Sequence, residues 1–149
     1  MITLEVKGDE ELIRKLDRLS RKVKNREVLH KRYGVAGARY VSQTFQREGR
    51  PRWKPLLPQT ARAKVTKTRR RGTAHILRVR GDLARSFTWE ASRLRALVGS
   101  NKEIARYHHD GTKHLPVRAT LPTKKQALEE ITLPITQDYV DESIRKAGL

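Results

Sequence analysis

Residues 25–51 read NREVLHKRYGVAGARYVSQTFQREGRP and contain the longest helical pattern in the chain. Apolar residues recur along one face of this stretch, at Leu29, Tyr33, Ala36, Tyr40 and Val41. Spacings of three and four residues are typical of an amphipathic helix, and Gly49 and Pro51 are expected to end it. We therefore expect a helix from residue 25 to near Glu48, about 35 Å long. Such a helix nearly spans a domain of this size, so one end is expected to reach a neighbouring subunit.

The residues before this stretch predict a strand followed by a shorter helix. Ile2, Leu4 and Val6 alternate with polar residues, which indicates a short strand with one buried face. Asp9 can cap the helix that follows. The apolar stripe of this helix has a four-three-four spacing and consists of Leu12, Leu16, Leu19 and Val23. The first helix is expected to end near Asn25.

The second half of the chain predicts short strands and short helices. We expect a strand at 75–79, a turn opening a short helix at 81–86, a hairpin at 86–99 turning near Ser92 and Arg93, a helical turn at 104–107, an edge strand at 115–121, and helices at 123–131 and 138–146. The predicted fold class is α+β: an N-terminal strand and two helices, one long, packed on a small, mostly antiparallel sheet, with an extended basic arm and short C-terminal helices. Residues 1–149 are expected to form a single domain.

Charge is concentrated in one part of the sequence. The 149 residues include 34 Lys and Arg against 16 Asp and Glu, for a formal net charge of +18. Residues 49–80 contain no carboxylate, and 11 of the basic residues lie there. Such a block repels itself, so part of it is expected to be a loop, either solvated or ordered by DNA or by an acidic protein neighbour. The absence of cysteine excludes disulfides and thiolate metal sites.

Residues 49–75, which we call the arm, combine prolines, basic residues and one tryptophan. Pro51, Pro55 and Pro58 indicate a stiff, extended segment lying across a surface. Trp53 stands between two basic residues, where it could stack on a nucleic-acid base, but burial against its own fold or a partner is favoured. The candidate contacts to an acidic partner or to DNA are Arg50, Arg52, Lys54, Arg69, Arg70 and Arg71.

One cluster invites a catalytic or metal-binding interpretation. His108, His109, Asp110 and His114 lie within seven residues. Adjacent histidines point in opposite directions in an extended segment, and no HExxH spacing is present. We interpret the cluster as a polar turn near a subunit contact and keep a metal-dependent nuclease only as a remote alternative. No P-loop, GxSxG or GxGxxG motif occurs, so neither enzyme activity nor a cofactor is expected. No apolar run approaches the roughly 18 residues of a membrane span, and no membrane contact is expected.

Three sequence elements occur in an order that resembles a known family. They are Glu48-Gly49-Arg50-Pro51-Arg52-Trp53-Lys54-Pro55-Leu56, then Ile76-Leu77 with Gly81-Asp82-Leu83 and Ser86, and finally Tyr107-His108, Gly111 and Leu115-Pro116-Val117-Arg118. With Val98-Gly99-Ser100-Asn101 between them, residues 10 to about 132 resemble the phage virion morphogenesis family, the tail completion proteins of contractile-tailed phages and Mu-like prophages. The chain departs from the family pattern at His109, at Asp110 and after Arg118.

The resemblance implies a structural role in the virion. Proteins of this kind cap the finished tail tube, commonly as a ring of six, and present a surface on which the DNA-filled capsid docks. The implied partners are further copies of the chain, tail tube or sheath proteins, head-neck connector proteins and, through backbone charge, DNA. The implied location is the tail-neck junction of a virion assembled in the host cytoplasm.

The resemblance also suggests roles for residues of the arm. Trp53 is expected to anchor it at a subunit or partner interface, and Pro51, Pro55 and Leu56 are expected to set its path. Leu77, Leu83, Val98 and Tyr107 are expected to belong to the core. The alternative function is that of a basic protein that binds nucleic acid without sequence specificity.

Overall fold

The computed structural model describes residues 9–68 and 74–149. The predicted strand at 2–6 and the arginines at 69–71 lie outside the described residues. The elements in chain order are α1 (Asp9–Lys24), α2 (Arg26–Gln46), α3 (Pro58–Thr68), α4 (Asp82–Arg85), β1 (Phe87–Ala91), β2 (Ala96–Ser100), α5 (Glu103–Asp110), α6 (Lys124–Gln126), a π-helical segment (Ala127–Thr132) and α7 (Leu133–Ala147). Helices combined with a two-stranded antiparallel sheet confirm the α+β class.

The two N-terminal helices agree with the sequence pattern. Asn25 separates α1 from α2, and its N–H donates to the carbonyl of Lys22 at 3.0 Å. Beyond α2 the chain reverses at Gly49, whose N–H donates to the Thr44 carbonyl at 2.8 Å. Gly49 has a φ of +113°, and a Cβ placed there would lie 2.5 Å from the backbone nitrogen of Trp53. Only glycine fits this turn.

Helix α2 lies directly on the β1–β2 hairpin. The strands pair with Trp89 opposite Val98. A Cβ at Gly34 would lie 2.4 Å from the Trp89 ring, and one at Gly37 would lie 2.7 Å from the Val98 side chain. The two glycines therefore allow the helix backbone to approach the sheet closely. The predicted hairpin is confirmed, and Leu94 lies in its turn and is 90% exposed.

The main core forms where the C-terminal half of α2 meets the following loops. Val41, Phe45, Trp53 and Ile76 are buried together. The edge of the Phe45 ring meets the Trp53 ring, with centroids 5.6 Å apart and planes at 82°, a favourable aromatic geometry. Partly buried side chains close the cluster: Leu56, Leu77, Leu83, Ala84, Phe87, Val98 and Leu121. Of the expected core residues, Tyr107 is instead 43% exposed.

Two predicted strands are wrong. Residues 75–79 form turns because the Ile76 N–H donates to the carboxylate of Glu48 at 3.0 Å and has no strand partner. Residues 115–121 are irregular because their backbone N–H groups donate to acceptors on α5 instead of to a strand. The Arg118 N–H donates to the His108 carbonyl at 2.8 Å, and the Thr120 N–H donates to the His109 ring at 3.1 Å. Side chains and a helix end thus accept the backbone N–H hydrogen bonds that a neighbouring strand would accept in a sheet.

Two further expectations about helices need correction. The arm is not extended throughout, because residues 58–68 form α3, and a proline at the first helical position suits a helix start. The C-terminal region is continuously helical from Lys124 to Ala147 and does not form two separated short helices. Pro134 has no N–H to donate to the preceding turn, and it lies where the π-helical segment passes into α7.

Helix α7 packs against α1 and α2 and is bonded to both. The Tyr139 hydroxyl donates to the Lys22 carbonyl at 2.7 Å, at the end of α1. Arg32 of α2 donates to the Glu142 carboxylate at 2.5 Å, and Lys146 donates to the same carboxylate. Within the described part of the chain, no helix is both long and apolar enough to cross a membrane.

Gly34→Ala tests the close contact between helix and hairpin. The added methyl would meet the Trp89 ring 2.4 Å away. We expect the free energy of unfolding to fall by about 1–2 kcal/mol, because overpacking outweighs the gain in helix propensity. Gly99→Ala is the matched control, since a Cβ there meets nothing within 4 Å. Urea denaturation followed by circular dichroism measures both variants, and a Gly34→Ala protein as stable as the wild type would contradict the packing argument.

Glu142→Gln tests the link between α2 and α7 through its pH dependence. The hydrogen bond from Lys146 and, to a smaller extent, the one from Arg32 lower the pKa of Glu142 from 4.5 to about 2. Because the folded-state pKa is lowered, the stabilisation is complete above pH 4.5 and is lost as the pH falls towards 2. We expect the urea midpoint of the variant to decrease less over this interval than that of the wild type. Asp138→Asn, at an exposed carboxylate of the same helix, should keep the wild-type slope, whereas parallel curves for Glu142→Gln and the wild type would refute the link.

Candidate functional site

Trp53 anchors the arm in the protein's own core. Its side chain is 6% exposed, and its indole N–H donates to the carbonyl of Ala119 at 2.9 Å. Its backbone N–H donates to the Glu48 carbonyl at 2.7 Å and so closes the turn after α2. Of the two interpretations of a buried Trp53, the structure shows burial against the protein's own fold. A ring in this position offers no face to a nucleic-acid base.

Arg50 is also engaged within the fold. Its guanidinium donates to the Glu130 carboxylate at 2.6 Å and lies 4.7 Å from the centre of the Tyr40 ring. Its carbonyl accepts a hydrogen bond from the Gln126 side chain at 3.3 Å. These contacts tie the start of the arm to the C-terminal helical region.

The outward surface of the arm consists of other residues. Arg52, Lys54, Pro51 and Pro55 are exposed, and Leu56 is half-buried. Leu57, which was not among the residues predicted for an interface, is 71% exposed. This surface combines apolar groups with two positive charges, as a contact with an acidic protein requires. That it forms a subunit or partner interface stays a prediction.

The four polar residues at 108–114 are not arranged as one cluster. His108, His109 and Asp110 lie in α5 and not in a turn, so adjacent side chains are about 100° apart around the helix. The His109 ring accepts the Thr120 N–H, Asp110 lies 3.6 Å from Arg106, and His114 is exposed in the turn that follows. Among the described residues, no three His, Cys, Asp or Glu side chains come together as a metal site would require.

A cleft of about 470 Å³ lies between α3, residues 77–83, α5 and residues 115–118. Lys64, His108 and Arg118 line it together with apolar side chains. Burial and the positive charge of Arg118 lower the pKa of both Lys64 and His108, and burial lowers the pKa of Arg118 itself. Sequence reasoning missed this cleft because its lining comes from four separate segments. The only signal was that several lining residues, among them Leu56, Leu77, His108, Leu115 and Arg118, belong to the three sequence elements.

Apolar side chains are also exposed along α1. Leu12, Leu16 and Val23 are 46%, 48% and 44% exposed, and Ile13 is 52% exposed. Helix α7 covers only part of this amphipathic stripe. Val28 and Val35 of α2 are exposed as well. Helices α1 and α2 therefore present apolar surface that the rest of the described chain does not bury.

Comparison with known protein families gives a match over most of the chain. The phage virion morphogenesis family matches residues 8–137. The chain belongs to this family. The match includes the arm, the hairpin and the cleft, and it confirms the resemblance seen in the sequence elements. Comparison with curated proteins and with solved structures found no significant match.

Membership in the family identifies the chain as a virion morphogenesis protein. This indicates a structural or assembly role in a phage particle rather than a catalytic one. Residues of the three sequence elements build the fold: Trp53 fills the core, and Arg118 donates a hydrogen bond to the Lys54 carbonyl. Among the described residues, the candidate partner surfaces are the outer side of the arm, the stripe on α1 and the cleft.

Trp53→Phe tests the anchoring of the arm. Phenylalanine keeps an aromatic ring in the core but leaves the Ala119 carbonyl without the donor that now lies 2.9 Å away. We expect the free energy of unfolding to fall by about 1–3 kcal/mol. Tyr107→Phe is the control, since Tyr107 is 43% exposed, and its effect should be smaller. Equal effects in urea denaturation would show that the hydrogen bond does not hold the arm.

Proposed function

We propose that this protein completes the phage tail, assembling as a hexameric ring at the tail-neck junction and joining the tail to the head. The observation that carries this proposal is the family match over residues 8–137, which places a virion morphogenesis domain over most of the chain. The structure adds two surfaces suited to assembly, one apolar and one basic.

The apolar surface supports self-association. Four apolar side chains of α1, Leu12, Ile13, Leu16 and Val23, each remain between 44% and 52% exposed. Burying such groups is favourable by about 25 cal/mol per Å² of apolar surface. In a ring, each copy presents one surface to the next, and a head-to-tail contact repeats until the ring closes. The α1 stripe is our candidate for one side of that contact.

The basic surface supports contact with neighbouring virion proteins. Arg52 and Lys54 are exposed on the arm beside Pro51, Pro55 and Leu57. With a net charge of +18, the chain is expected to associate readily with acidic surfaces of the tail tube, the sheath or the head-neck connector. Arg69, Arg70 and Arg71 belong to the same proposed surface but lie outside the described residues.

Nonspecific nucleic-acid binding is the second candidate, and net charge is the observation that favours it. The burial of Trp53 removes the aromatic platform, so any such binding would rest on contacts with phosphates. Its affinity for duplex DNA should then fall steeply as the salt concentration rises. Binding that weakens in the Arg69→Ala, Arg70→Ala, Arg71→Ala triple variant would support this function, and no binding at low salt would remove it.

Size-exclusion chromatography with light scattering tests the ring. We expect the wild type to form a hexamer, alone or when mixed with tail tubes. The double variant Leu12→Gln, Leu16→Gln should dissociate, because it removes apolar surface that a neighbour is proposed to bury. Arg18→Gln changes an exposed residue of the same helix and should leave the hexamer intact. A monomer that does not bind tail tubes would contradict the proposal, and an unaffected hexamer in the double variant would move the contact elsewhere.

A further inference from the structure

The cleft between α3 and α5 combines apolar walls with buried positive charge. Its volume is about 470 Å³, enough for one or two side chains of another molecule. The apolar lining consists of Leu56, Leu77, Val79, Leu83, Ile104 and Leu115. The basic and polar lining includes Lys64, Arg80, Lys102, His108 and Arg118. None of these residues takes part in the apolar stripe of α1.

Arg118 is the central group of the cleft. It is only 7% exposed, yet its Nε is buried without a hydrogen-bond partner among the described residues. One terminal nitrogen donates to the carbonyl of Lys54 at 3.2 Å. Within residues 9–68 and 74–149, no Asp or Glu forms an ion pair with its guanidinium. A buried guanidinium without a carboxylate is unfavourable, and an added carboxylate would relieve it.

The neighbouring polar groups of the cleft do not neutralise Arg118. Lys64 adds a second positive charge, and its ammonium donates to the His75 carbonyl at 2.8 Å. The Nδ1 of His108 is buried and has no partner in the described part of the chain. Asp82, the only carboxylate in the lining, is bonded to Arg85 at 2.7 Å. The cleft therefore has a positive potential and unused hydrogen-bonding capacity at the same place.

Two kinds of anion could bind in the cleft, DNA phosphates and peptide carboxylates, and the apolar walls favour the carboxylates. A duplex carries its phosphates on a broad polar surface and has no apolar side chains to place against the leucine, isoleucine and valine residues of the cleft. A peptide can place one carboxylate on a guanidinium while its apolar neighbours lie on such walls. Ile104 and Val79 are 50% and 56% exposed and are available for that contact. Apolar lining with a few convergent polar groups is typical of a ligand pocket.

We propose that this cleft binds an acidic segment of a partner protein, with a Glu or Asp carboxylate on Arg118 and flanking apolar side chains on Leu56, Ile104 and Leu115. The inference goes beyond tail completion, because it names the chemistry that the partner must present. It does not depend on the ring, so the hexamer could be disproved while the cleft still binds its peptide.

A pair of blocked peptides tests the proposal on the full-length protein. The probes are Ac-Ser-Leu-Glu-Leu-Ser-amide and its counterpart with Gln in place of Glu, titrated while the Nε–H resonance of Arg118 and the backbone resonances of α5 are recorded by NMR. We expect saturable shifts of these signals with the Glu peptide, at a dissociation constant of about 1 mM or tighter. The Gln peptide should bind about tenfold more weakly, because it lacks the charge-assisted hydrogen bonds.

Substituting Arg118 could disturb folding, because its side chain also donates to the Lys54 carbonyl of the arm. The test therefore uses variants at the edge of the cleft. Ile104→Gln changes a half-exposed wall residue and should weaken binding of the Glu peptide several-fold, at an unchanged unfolding midpoint. Arg93→Gln, at an exposed position in the hairpin turn, should bind the peptide like the wild type.

Three results would overturn the proposal. The Glu and Gln peptides could bind equally, the Glu peptide could leave the Arg118 signal unshifted, or Ile104→Gln could bind as tightly as the wild type. A short DNA duplex that shifts the Arg118 signal when the Glu peptide does not would assign the cleft to nucleic acid instead.

Discussion

The direct contact between α2 and the hairpin is the constraint on which the rest of the structure depends. Gly34 and Gly37 leave no room for a side chain between the helix backbone and the residues Trp89 and Val98. This contact fixes the position of a 21-residue helix, and the C-terminal half of that helix then supplies Val41 and Phe45 to the core. Trp53 closes the core from the other side and brings the arm with it. The close contact therefore also determines where the arm begins.

Several polar residues that resemble catalytic groups have structural roles in this fold. Glu48 accepts the N–H of Ile76, and His109 accepts the N–H of Thr120. Arg50 connects the start of the arm to Glu130. The described residues form one two-stranded sheet and long irregular segments, whose buried N–H groups need partners. Side chains supply these partners, so a polar residue here more often holds a loop than performs chemistry.

The basic residues also differ in role, because some hold the fold and others lie on the surface. Arg50 and Arg118 are committed to the interior or to the cleft, whereas Arg52 and Lys54 lie on the surface of the arm. Net charge alone therefore overstates how much of the molecule is available to a polyanion. The exposed stripe of α1 and the cationic cleft are formed by different elements, so the self-association and the peptide binding that we propose would use separate surfaces.

The sequence by itself determined α1 and α2, because each has a periodic apolar pattern and a local stop signal, at Asn25 and Gly49 respectively. It also determined the hairpin, through alternating apolar residues, and α4, through the turn at Gly81. It also determined the family, through short elements kept in order. Only the tertiary structure decided that residues 75–79 and 115–121 are not strands, since their N–H groups are taken by Glu48, α5 and His109. The cleft also could be found only from the tertiary structure. Lys64, His108 and Arg118 are far apart in sequence, and a local sequence pattern does not indicate which distant side chains line one cavity.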